Sequence, residues 1–269
     1  MNGLAASAYG VFALVFALVA AIVWGSAVAS RNLGGSAIER RRAVISTAGG
    51  LVVWLAVTGM VGELPFMRNY DALPPPMFRV FVPSLTAAML VVFSRVGARV
   101  VDGLGFAPLV ALQAFRFPLE LLLVYGFHAE GKAPVQMTIQ GQNFDIVSGI
   151  SAIVLAGMLV LRGERQVSRA LIWVWNALGT ALLLNIVVLS VLSMPGPLRY
   201  FQNEPANTFV FRWPYIWVPL FFVIVAAFGH ALVFRKLVRT GAARECTGTA
   251  ARTEVAERAT AQTTLSSKV

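Results

Sequence analysis

Seven stretches of this chain are apolar over the length of a membrane span, and no other feature restricts the possible folds as tightly. A helix needs about 20 mainly apolar residues to cross the hydrocarbon layer of a bilayer. Backbone polar groups at that depth must bond within the chain, which leaves helices as the spanning structure for runs of this length. The stretches cover roughly 8–30, 43–64, 79–98, 106–127, 145–162, 169–193 and 214–235 on that length criterion. Composition agrees, with 58% hydrophobic and 13% charged residues, where soluble domains carry about 25% charged. The sequence therefore predicts an all-α integral membrane seven-helix bundle over residues 1–240. Residues 241–269, rich in Thr, Ala and charge and poor in large apolar side chains, read as a disordered cytoplasmic tail.

Basic residues set the predicted orientation, because cytoplasmic loops are enriched in Lys and Arg. Sixteen of the 22 follow spans 1, 3, 5 and 7: Arg31, Arg40–Arg42, Arg95, Arg99, Arg162, Arg165, Arg169, and seven from Arg235 onward. The alternate loops hold Arg68, Arg79, Lys132, Arg199 and Arg212. This alternation predicts an external N-terminus and a cytoplasmic C-terminus in a bacterial inner membrane. It also accounts for the net charge of +10 without a nucleic-acid partner. "AVA" at 27–29 resembles a signal-peptide cleavage site, but Met1 to Ser7 lacks positive charge and the apolar run is longer than a signal core, so span 1 reads as uncleaved. Cys246 is the only cysteine, which excludes an intrachain disulfide.

Small residues predict close helix packing, since small faces let backbones approach in lipid. Span 1 has Ala13, Ala17, Ala21, Gly25 and Ala29 at every fourth position; span 2 has Gly49, Gly50, Gly59 and Gly62; span 5 has Ser148, Ala152 and Ala156. Trp213, Tyr215 and Trp217 at the start of span 7, and Trp173 and Trp175 near one end of span 6, are assigned to an interfacial aromatic belt.

The polar residues that stand out are Arg116 and Glu120, in "AFRFPLELLLV". With Gln113 they share one helix face, as steps of three and four do. Charges at such depth cost about 2.5–3.5 kcal/mol on insertion scales, so mutual pairing of Arg116 and Glu120 is expected. Pro118 cannot bond the Ala114 carbonyl and predicts a local break. Further candidates are Glu63, Asn185, Glu204 and Arg212, together with Asn143 and Asp145 at the start of span 5, where Asp145 reads as an N-cap. Val135, Met137 and Ile139 alternate with Gln136, Thr138 and Gln140, the period of a half-buried strand. Together the loops after spans 4 and 6 are expected to cover an outward-facing polar pocket.

The runs "FRFPLELLL", "PVQMTIQGQNFDI" and "NEPANTFVF" resemble a group of bacterial polytopic membrane proteins, from span 4 to span 7. The resemblance implies a similar helical fold with the same outer polar loops, and no catalytic or binding assignment.

Several chemistries lack their motifs. His128 and His230 fall in different regions and suggest no metal site. There is no G-x-S-x-G elbow or phosphate loop, no lysine at the centre of the last span for a retinal Schiff base, and no sign of a cofactor. The leading expectation is a protein that binds, senses or transports a small molecule or ion. The alternative is a structural or assembly subunit that docks another membrane protein, with an intramembrane enzyme ranked last.

Overall fold

The computed structural model describes residues 5–241, and it is helical, with no strand among the described residues. The predicted tail, Cys246 included, lies outside them apart from Gly241. Seven helices are long and apolar enough to cross a membrane: span 1 (Ala6–Asn32), span 2 (Ala37–Gly62), span 3 (Pro76–Phe93), span 4 (Phe106–His128), span 5 (Asp145–Arg162), span 6 (Arg169–Ser193) and span 7 (Val218–Gly241). Span 3 stops five residues before its predicted end. Ser94 accepts from the Val96 amide at 3.0 Å and starts a separate short helix, Arg95–Gly103. Span 2 begins earlier than its apolar run, because Ser36 and Glu39 form a capping box that satisfies two N-terminal amides. Gly34, at φ +75°, makes the preceding turn, a conformation that favours glycine.

Span 4 is not a uniform α-helix. A 3₁₀ segment, Leu112–Phe115, precedes α-helix Arg116–Leu122, and a π-helical turn follows at Leu123–His128. The tightened segment holds Ala114, whose carbonyl Pro118 cannot bond, so the break falls where proline places it. Span 7 opens with a second π segment, Val218–Val223, which includes Pro219. There the Trp54 indole N–H donates to the Leu220 carbonyl at 2.9 Å and fixes span 2 to span 7.

Polar capping distinguishes the two ends of the bundle. At one end, adjacent residues of span 7 bond carbonyls left free at helix C-termini. Arg235 donates to the Val92 and Ser94 carbonyls, and Lys236 to those of Val101 and Leu104 at 2.8 and 2.6 Å. At the other end lie the start of span 1 and the loops after spans 2, 4 and 6. Glu63 accepts from the Trp213 amide at 3.1 Å, Gln136 donates to Ser193 at 2.8 Å, and Asn203 donates to Gln136 at 2.8 Å. Glu130 accepts from both the Ser7 amide (2.9 Å) and the Ser7 hydroxyl (2.5 Å), while Lys132 donates to Glu130 and, at 2.7 Å, to Tyr215. Burial works against both charges, yet the bonds from Lys132 and Ser7 hold the Glu130 carboxyl below the usual carboxylate range. Against the same burial, Glu130 and Tyr215 hold the Lys132 ammonium above its ordinary value.

Three packing expectations are corrected. In span 1 the buried face is Ser7, Ala8, Val11, Val15 and Leu18, so Ala13, Ala17 and Ala21 face outward; only Gly25 and Ala29 of that stripe pack inside. In span 2, Gly59 packs on Trp213 and Gly62 on Ile216, but a side chain at Gly49 or Gly50 would meet nothing. The aromatic belt is also only partial. Tyr215, Trp217 and Trp175 are buried in the core, with the Trp175 indole on Ser151 at 3.0 Å. Their polar tips find partners inside, Tyr215 with Lys132 and the Trp217 indole on the Leu55 carbonyl, as buried Tyr and Trp require.

Candidate functional site

A polar network occupies the interior of spans 4 to 7, and Arg116 is its centre. The side chain is 2% exposed. Its Nε and Nη2 donate to the two oxygens of Asp145 at 3.2 and 2.5 Å, a bidentate ion pair. Its Nη1 donates to the Gly179 carbonyl at 3.0 Å and meets His230 Nε2 at 3.0 Å. A guanidinium only donates, so His230 Nε2 accepts. The proton of His230 then sits on Nδ1, which donates to Asn176 Oδ1 at 2.8 Å. Asn176 Nδ2 closes the ring by donating to the His230 carbonyl at 3.1 Å. One arginine thus joins four spans and uses four of its five N–H groups.

Local structure explains the close approach. A Cβ added at Gly149 would run into the Phe117 backbone, its Cα at 2.8 Å, so glycine lets span 5 lie directly against span 4 beside Arg116. Gly179 does the same for span 6, where a Cβ would come within 2.5 Å of His230 Cε1.

The expected pairing of Arg116 with Glu120 is therefore overturned. Asp145 takes both donors, because it enters at the start of span 5 with its carboxylate facing the planar guanidinium edge-on, the geometry a bidentate pair requires. Asp145 is also not the N-cap. It is the first helical residue, and Asn143 Oδ1 accepts from its amide at 3.1 Å. Glu120, 1% exposed, instead accepts from Asn143 Nδ2 at 2.6 Å. The same Asn143 amide donates to the Met137 carbonyl at 3.0 Å, and the Ile139 amide also faces the Glu120 carboxylate. Glu120 Oε1 has no hydrogen-bond partner. Gln113 shares the helix face as expected but turns to span 7, donating to the Ala226 carbonyl at 3.0 Å, with its Oε1 also unpartnered. Ser148 Oγ, one turn beyond Asp145, is a third such atom.

The loop over Glu120 is not a strand. Val135–Met137 is a 3₁₀ turn, and burial does not alternate: Gln136, Met137 and Thr138 are buried in succession, while Val135 and Ile139 are about 40% exposed. Buried Gln136 and Thr138 have partners inside, Gln136 on Ser193 and Asn203, Thr138 on the Val135 carbonyl, so hydrogen bonding overrides alternation.

The other candidates lie outside the network. Glu63 pairs with Arg68 at 3.0 Å on the surface, Glu204 with Arg199 at 2.9 Å, and Arg212 is exposed. Asn185 is half-buried and donates to the Gln142 carbonyl at 2.8 Å. The two cavities described are apolar and lie elsewhere, between spans 3, 6 and 7 and the adjoining loops. Sequence reasoning weighed His230 as a metal ligand, and it missed His230, Asn176 and Gly179 as members of the Arg116 network. The available signal was a polar side chain deep in an apolar span, which calls for a partner in a neighbouring helix.

Comparison with curated proteins and with solved structures finds no match. One family model, described as a domain of unknown function (DUF8737), matches residues 76–238, from the first turn of span 3 to the last turns of span 7. That is more than half of the 269 residues and contains the whole polar network, so this chain belongs to the DUF8737 family.

Proposed function

We propose that the protein is a multi-pass protein of the bacterial cytoplasmic membrane that binds a small cation at Glu120, as part of transport or sensing. The observation that carries this reading is the state of Glu120. Its carboxylate is buried, one oxygen has no partner, and Arg116 is already committed to Asp145. The network thus holds one more acidic group than basic group. An unpartnered buried acceptor costs about 1–3 kcal/mol, more when charged, and a bound cation or proton removes that penalty. Arg116, Asp145, His230 and Asn176 act as the fixed frame.

Access is proposed from the external side. The segment over Glu120, with Ile139 and Asn143, belongs to the loop after span 4. The distribution of Lys and Arg assigns that loop to the outside, with the N-terminus beside it and the C-terminus in the cytoplasm. The test is thermal unfolding of the purified protein in detergent, across a lithium, sodium and potassium series at constant ionic strength and across a pH series. Wild type is expected to respond to one of these, and Glu120→Gln to lose that response while staying folded. Identical responses in both proteins overturn the reading.

A second reading, a structural or assembly subunit, is supported by the outward faces of Ala13, Ala17 and Ala21 and of Gly49 and Gly50. Small faces of this kind suit a neighbouring helix in lipid. Co-purification of a stoichiometric membrane partner, lost on Ala17→Leu, would favour it.

A further inference from the structure

We infer that the crevice between spans 3, 6 and 7 is a lateral binding site for one acyl chain of a membrane amphiphile. This goes beyond the Glu120 reading and does not depend on it. Spans 3 and 6 make few direct contacts with each other. Between the first turns of span 3 and the last turns of span 6 lies a cavity of about 70 Å³. Its walls include Phe78 and Phe81 from span 3, Val187 and Val191 from span 6, Val223 from span 7, and Met137 from the loop after span 4.

Three observations identify the occupant. On the measure in which one water needs about 10–15 Å³, this space accepts several methylene groups. Ser190 is the one polar side chain of the wall, and its Oγ already accepts from Asn207 Nδ2 at 2.8 Å. A trapped water needs two to four polar partners, so the crevice favours carbon over water. Phe78, Phe81, Val187 and Val191 are half-buried, so the crevice reaches the outer surface of two helices of membrane-spanning length, where the surroundings are acyl chains. Met137 closes the inner end: it is 2% exposed, and its carbonyl is the one bonded by the Asn143 amide that also holds Glu120.

The experiment is photolabelling of the full chain in phosphatidylethanolamine vesicles doped with a phosphatidylglycerol that carries a diazirine midway along one acyl chain. Adducts are mapped by peptide mass spectrometry. Bulk lipid reaches Phe16 and Leu161, which are 72% and 87% exposed, but cannot reach Met137. Labelling of Met137 and Val187 severalfold above that of Phe16 and Leu161 is expected. Val187→Trp, which fills the crevice, should reduce the Met137 adduct severalfold and leave those at Phe16 and Leu161 unchanged. An unlabelled Met137 in wild type overturns the inference and needs no variant. Labelling of Met137 by a water-soluble diazirine instead also overturns it, in favour of an aqueous ligand. Neither result bears on the cation response of Glu120.

Discussion

Spans 4 and 7 on one side and spans 1 and 2 on the other are built on opposite terms. In the most apolar stretches of spans 4 and 7, 44% and 67% of residues are buried; in spans 1 and 2 only 17% and 11% are. The inner spans carry buried ionisable groups, Arg116, Glu120, His230 and Lys236, and meet through the bonds of polar side chains. The outer pair attach through ring packing of Phe12 on Trp213 and Trp217 and through hydrogen bonds nearer their edges, such as the Trp54 and Trp217 indoles on backbone carbonyls at 2.9 and 3.1 Å. The family match begins at residue 76 and leaves spans 1 and 2 out. The difference teaches that similar hydropathy hides two roles. One set of helices encloses polar chemistry, and the other presents an apolar and small-residue surface to its surroundings.

Substitutions at the centre test this division most severely. Arg116→Ala or Asp145→Ala leaves a buried charge without its partner and should cost about 3–5 kcal/mol. The double variant should recover part of that loss, as read by denaturant unfolding in detergent. Glu120→Gln should cost about 1 kcal/mol or less, because the Asn143 bond survives on the amide oxygen and no ion pair is lost. If Glu120→Gln unfolds the protein as Arg116→Ala does, the distinction between frame and site fails.

Gly149→Ala comes next. The added methyl meets the Phe117 backbone rather than a movable side chain end, and overpacking of that kind costs about 1–3 kcal/mol. The same change at Gly50, which faces outward, should be neutral or slightly stabilising.

The contact that ties span 1 to the inner bundle should be worth about 1–2 kcal/mol by charged hydrogen bonds, measured as the stability lost in Lys132→Met. Its pH dependence has a definite sign. The Glu130 carboxyl lies below its ordinary 4.5, so its contribution is full above that value and fades as pH falls through the lowered one. The Lys132 ammonium lies above 10.5, so its contribution persists through neutral pH and fades only above that value. The gap between wild type and Lys132→Met should therefore close in acid. The smallest effect is expected at Ala17→Leu, within about 0.5 kcal/mol for an isolated chain; a larger loss would mean that a partner helix occupies that face.

By itself the sequence determined that the chain forms seven helices long and apolar enough to cross a membrane, because span length is set by bilayer thickness and apolar runs are one-dimensional. It also marked Arg116, Glu120, Gln113, Asn143 and Asp145 as polar groups needing partners, since burial of charge is costly whatever the fold. Which partner each one took was decided by the tertiary structure. Arg116 and Glu120 are neighbours along a helix, but Asp145, 29 residues away, presents both oxygens in the plane of the guanidinium. Gly149 and Gly179 let spans 5 and 6 come close enough to reach it. Pairing depends on the distance and direction between helices. Those are fixed only when whole faces pack together, and so Glu120 was left with an open oxygen that no spacing rule could reveal.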